Sequence, residues 1–117
     1  MLDVVVIFLE GGTPSTAVTP VEILSSAGYL YETLQGKEGE RKFNVQTASL
    51  TGESVQTLSA LKLDPDYSID EIETSDLMVV AAGGGDLDIE CERNAKLPPL
   101  LREAYENGTA IGGCSTC

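Results

Sequence analysis

Apolar and β-branched residues fill Leu2 to Leu9 (LDVVVIFL) almost without interruption, the pattern of a strand buried on both faces. Glu10, Gly11 and Gly12 end that run, and Thr13 to Thr16 (TPST) lead into a new periodicity. Val18, Val21, Ile23, Leu24, Ala27, Leu30 and Leu34 are spaced for one apolar face of an amphipathic helix, with Pro20 expected near its first turn. Gly36 to Lys42 (GKEGERK) is charged and reads as a solvated loop. Phe43 to Ala48 (FNVQTA) alternates as a strand does, and Val55 to Leu63 predicts a short strand or hairpin arm after a turn at Thr51 and Gly52. Asp64 to Ile72 (DPDYSIDEI) holds a turn and one turn of helix. Leu77 to Ala82 (LMVVAA) is a second buried strand, closed by Gly83, Gly84 and Gly85. Leu97 to Asn107 predicts a helix, since Pro98 and Pro99 suit a first turn and Asn107 with Gly108 supplies a stop. Thr109 to Gly113 is the next strand.

Strands and helices thus alternate along the chain, and the strands are apolar on both sides. That order predicts an α/β fold with a mostly parallel sheet and helices on both faces. In such sheets ligands collect beyond the carboxyl ends of the strands. Three segments meet at that edge: Glu10 to Thr16, Gly83 to Asp86, and Gly113 to Cys117.

Composition narrows the function classes. The 117 residues hold 7 basic and 19 acidic side chains, a net charge of −12, which repels phosphate backbones and disfavours direct nucleic-acid contact by this chain. No apolar run approaches the roughly 20 residues of a membrane helix. The opening run lacks the basic region and small-residue cleavage site of a signal peptide. Three cysteines without such a signal fit a reducing, cytoplasmic setting. The absence of histidine removes the commonest general base and metal ligand from these residues.

The chemistry centres on AIGGCSTC, Ala110 to Cys117. A cysteine on a strand-to-helix turn is exposed by the turn, and backbone N–H groups at the helix start stabilise its thiolate. Cys114 is therefore a candidate nucleophile, and the alternative is an inert buried thiol. Backbone N–H groups of Gly83 to Gly85 and of Ser115 could form an oxyanion site, or the glycines simply a flexible turn. Cys114 and Cys117 have the spacing of a redox pair, but the motif follows four or more elements rather than opening the chain. Cys91 adds a third thiol without a fourth ligand for zinc, so no metal is expected. Glu22 is either a site carboxylate or part of a solvated helix face.

These stretches carry a resemblance. LDVVVIFLEGG with TPVEIL, SDLMVVAAGGG and AIGGCSTC look like the PfpI-type, class I glutamine-amidotransferase-like superfamily. The intervening FNVQTASLTGESVQTLSALKLDPDYSIDEI is similar to the subgroup fused to AraC-type DNA-binding regions in bacterial transcription regulators. The resemblance spans essentially the whole chain and implies a flavodoxin-like three-layer sandwich. It also implies that residues 1–117 are the N-terminal part of a single sensor domain, incomplete at residue 117.

Carried over by position, Cys114 stands at the elbow nucleophile, and Gly84 and the Ser115 N–H stand at the oxyanion donors. Thr16 falls where the family places an acid, Ser115 where enzymes have histidine, and Thr116 where regulators have glycine. Loss of acid and imidazole removes proton transfer, which is typically worth about 10²–10⁴-fold. The resemblance therefore implies a pocket of Thr16, Gly84, Gly85, Cys114 and Ser115 that binds a small-molecule effector, without a cofactor. It further implies a homodimer through surfaces near the first helix and DNA contact only through a region outside this chain; the lack of a long apolar run adds the expectation of no membrane partner. The alternative is a cysteine-dependent hydrolase, hydratase or glyoxalase-like enzyme of the same superfamily.

Overall fold

The computed structural model describes residues 1–72, 75–83, 92 and 94–113. Its centre is β1 (Leu2–Phe8), whose apolar, β-branched run is flanked on both edges. On one side β1 pairs in parallel with β2 (Phe43–Ser49), from Leu2 opposite Phe43 to Phe8 opposite Ser49. On the other it pairs in parallel with β6 (Leu77–Val80), from Val4 opposite Leu77 to Ile7 opposite Val80. Beyond β6 lies β7 (Ala110–Gly113), and beyond β2 lies the two-residue β5 (Tyr67–Ser68), again parallel. The sheet order is therefore β5-β2-β1-β6-β7. A separate antiparallel hairpin joins β3 (Val55–Gln56) to β4 (Lys62–Leu63), as the run after Gly52 predicts.

Alternation along β1 divides the core in two. Val4, Val6 and Phe8 face α1 (Pro14–Ser26) and pack with Ala17, Val21, Leu24 and the hairpin's Val55. Val5, Ile7 and Leu9 face α3 (Leu97–Glu106) and pack with Leu97, Leu100, Leu101 and Ala104. Helices thus cover both faces, as the two-sided strands require. Val4, Val5, Val6 and Ile7 are the most deeply enclosed large side chains, at 0–1% exposure. Each contributes about 1.5–3 kcal/mol by leaving water, so β1 is the energetic centre of the fold.

The helical stretch after β1 departs from the expected pattern in two ways. The periodic run to Leu34 is two helices, α1 and the short α2 (Leu30–Leu34), separated at Gly28, where φ is +75°. A Cβ there would stand 2.6 Å from the Glu40 carbonyl oxygen, because the loop before β2 folds back onto the break. Two bonds hold it there: the Glu40 N–H donates to the Gly28 carbonyl at 2.9 Å, and the Lys42 N–H to that of Ala27 at 3.2 Å. Part of the expected apolar face also points outward: Val18, Ile23, Leu30 and Leu34 are exposed. Pro20 lies inside α1 rather than in its first turn, which Pro14 takes. A proline there leaves the Thr16 carbonyl without its helical donor.

Arg41 closes the end of α1. Its guanidinium sits 4.2 Å from the centroid of the Tyr29 ring, and Nη1 donates to the Ser25 carbonyl at 2.5 Å. An exposed cation over an aromatic face is worth about 0.5–1 kcal/mol, and a last-turn carbonyl gains a donor. Arg41→Ala should therefore lower the urea-unfolding free energy by about 1 kcal/mol, while Arg41→Lys recovers only part of the loss.

The segment 64–72 holds the expected turn and helical turn and, between them, a short strand. Asp66 Oδ2 accepts from the Thr47 N–H at 3.2 Å and from Thr47 Oγ1 at 3.1 Å, and the Asp66 N–H donates to the Thr47 carbonyl at 3.1 Å. These bonds bring Tyr67 and Ser68 into register as β5. Ser68 then starts a 3-10 turn (Ile69–Glu71) through a capping box with Glu71. Two-residue strands carry no periodicity, so β5 is set by Asp66 rather than by a hydrophobic pattern.

Candidate functional site

Register sets the site's geometry. Ile7 lies opposite Val80, and Val80 opposite Gly113, so β1, β6 and β7 end on one line across the sheet. The segments that follow, Glu10–Thr16 and Ala81–Gly83, leave the sheet side by side. Chain order reverses between β1 and β6, since β2 lies on one side of β1 and β6 on the other. That reversal is the topological switch point, where crevices open beyond the strand ends of parallel sheets.

The first loop is built for close approach. Leu9 to Gly12 form a turn closed by the Gly12 N–H donating to the Leu9 carbonyl at 3.0 Å. Gly11 has φ +74°, which L side chains rarely adopt. The hairpin holds the outer side of this turn. The Gly11 N–H donates to the Gln56 carbonyl at 2.8 Å, and the Leu58 N–H to that of Gly12 at 2.9 Å. The Gln56 N–H in turn donates to Glu10 Oε2 at 3.1 Å.

The inner side is fastened to the end of β6. The Thr13 N–H donates to the Ala82 carbonyl at 3.0 Å, and the Ala82 N–H donates to Thr16 Oγ1 at 2.9 Å. Thr16 Oγ1 itself donates to the Thr13 carbonyl at 2.7 Å. One hydroxyl therefore acts as acceptor and donor at once, bonding the start of α1 to the strand end across the switch point. The position that the resemblance gives to a family acid holds a structural latch in this chain. Threonine can take both roles because it has a donor and lone pairs on one oxygen.

On the β2 side of β1, a cleft of about 240 Å³ opens at the carboxyl ends of β1 and β2. Phe8, Leu50 and Val55 give it an apolar floor, and Glu10, Glu53, Thr51 and the buried Asn94 border it. Ser49 and the 49–54 turn are bonded within this wall: Ser49 Oγ donates to the Glu53 carbonyl at 3.0 Å and accepts from the Gly52 N–H at 2.9 Å.

Of the expected site residues, Thr16 stands at the edge as the sequence implies, but with its hydroxyl engaged by backbone. Gly84, Gly85, Cys114 and Ser115 lie outside the described residues, as do Cys91, Thr116 and Cys117. Glu22 is an exposed residue of the helix surface, eight positions past the first residue of α1, and stands apart from the loop. Among the described residues, no three His, Cys, Asp or Glu side chains group as a metal ion would need. Gly12, within the Glu10 to Thr16 segment expected at this edge, and Ala82, the last residue of the expected second strand, also build the site. The Gly11–Gly12 pair is the available signal for Gly12, whereas Ala82 contributes only main-chain atoms.

An open parallel sheet, helices on both faces and loops gathered at the β1/β6 switch point define a doubly wound α/β domain of the flavodoxin-like class. The DJ-1/PfpI family model matches residues 3–116, and the chain belongs to that family. No curated protein matches the chain. Among solved structures, an AraC family transcriptional regulator of Pseudomonas putida is similar with a TM-score of 0.74 at 24% identity, over 97% of this chain and 55% of that one. A DJ-1 superfamily protein of Agrobacterium tumefaciens gives 0.71 at 19% identity, over 97% and 53%. Oxidised DJ-1 of Toxoplasma gondii gives 0.65 at 20% identity, over 97% and 55%. The chain spans about half the length of these proteins, and at such identities the likeness shows the fold. Among the described residues, no helix is long and apolar enough to cross a membrane.

Proposed function

We propose that the chain is the effector-sensing N-terminal domain of a cytoplasmic bacterial AraC-type transcription regulator, with its pocket at the carboxyl edge of the sheet. The observation that carries this reading is Thr16. Where a cysteine enzyme of this family would hold an acid, the side chain has no carboxylate, and its hydroxyl is bonded to Thr13 and Ala82. The sequence also contains no histidine. Cys114 then serves as pocket wall for a small molecule, and no cofactor is required. The likeness to the Pseudomonas putida regulator supports the class of protein, and the charge of −12 supports assigning DNA contact to a region outside this chain.

Thiol titration separates sensor from enzyme. With Cys91→Ser and Cys117→Ser in place, the rate of Cys114 alkylation by iodoacetamide should rise with an apparent pKa near about 8.5, the ordinary thiol value. An apparent pKa far below neutrality, together with turnover lost in Cys114→Ala, would replace this reading with the cysteine-enzyme alternative. The full-length regulator should bind a DNA site in a mobility-shift assay, and Cys114→Ala should preserve that binding.

The outward-facing Val18 and Ile23 of α1, with Leu58 and Leu61 of the hairpin connection, support homodimerisation near the first helix. Because Ile23 is 61% exposed, Ile23→Asp should leave folding intact and shift sedimentation from dimer toward monomer. An unchanged sedimentation coefficient would move the dimer interface elsewhere.

A further inference from the structure

We draw no further inference here: the strongest candidate, the cleft of about 240 Å³ at the carboxyl ends of β1 and β2 between Glu10, Glu53 and Asn94, belongs to the site already described.

Discussion

Gly12→Ala is expected to destabilise the chain by close to the upper end of about 1–3 kcal/mol, the range for forcing extra atoms into a packed site. A Cβ at this position would stand 2.7 Å from the Ala82 carbonyl oxygen and 2.9 Å from that of Leu9. Both neighbours are main-chain atoms, so relief requires moving the turn or the end of β6, not swinging a side chain. Neither move is free. The Ala82 carbonyl accepts from the Thr13 N–H, and the Leu9 carbonyl accepts from the N–H of Gly12 itself. Gly12 does not have a positive φ, so the cost is steric rather than conformational. Gly36 supplies the contrast, with φ +74° and nothing within 4 Å of where a Cβ would stand. Gly36→Ala should cost about 1 kcal/mol through backbone strain alone. Urea unfolding of both variants checks the difference. Equal losses would mean that the loop yields easily and that the approach of β1 to β6 is not fixed by Gly12.

The parts of the fold that can be read from sequence are those where burial acts over many residues. Val4 to Ile7 face two cores at once, which leaves an unbroken apolar run, and the same logic marks Leu77 to Val80. Helix α3 is legible from Pro98, Pro99 and its ending at Glu106 before Asn107 and Gly108. Elements fixed by single polar contacts are less legible. β5 depends on Asp66 meeting Thr47, and the division between α1 and α2 depends on Gly28 meeting a loop more than ten residues later. The apolar periodicity from Val18 to Leu34 continues through that break because it records apolar surface, and part of that surface faces outward. At the site, sequence order identifies the edge, since strand ends in a parallel sheet share one side. The latch is different. A threonine hydroxyl bonded to the backbone of Ala82, 66 positions away, follows from the register of β1 against β6 and not from any local pattern.

Thr16→Val should cost about 1–3 kcal/mol, the penalty for leaving a partly buried donor without its partner. Valine matches threonine in shape, so the packing of this first turn of α1 changes little while the hydroxyl is lost. The Ala82 N–H then has no acceptor at 2.9 Å, and the Thr13 carbonyl loses the hydroxyl donor but keeps the Thr16 N–H at 3.2 Å. The loss therefore falls mainly on the exit of β6. Hydrogen exchange at the Ala82 amide should accelerate in Thr16→Val by at least about tenfold more than at the core amides of β1, which follow only the global stability change. Thr16→Ser retains an oxygen that can accept and donate, and should hold exchange at Ala82 close to wild type. Thr16→Glu tests the sensor reading from the other direction. It supplies the carboxylate that the position lacks but removes the hydroxyl that joins α1 to Ala82, so it should loosen the same amide without conferring turnover. Unchanged exchange at Ala82 in Thr16→Val would show that the hydroxyl does not hold the switch point. Turnover gained by Thr16→Glu would show that only the acid separates this chain from a cysteine enzyme.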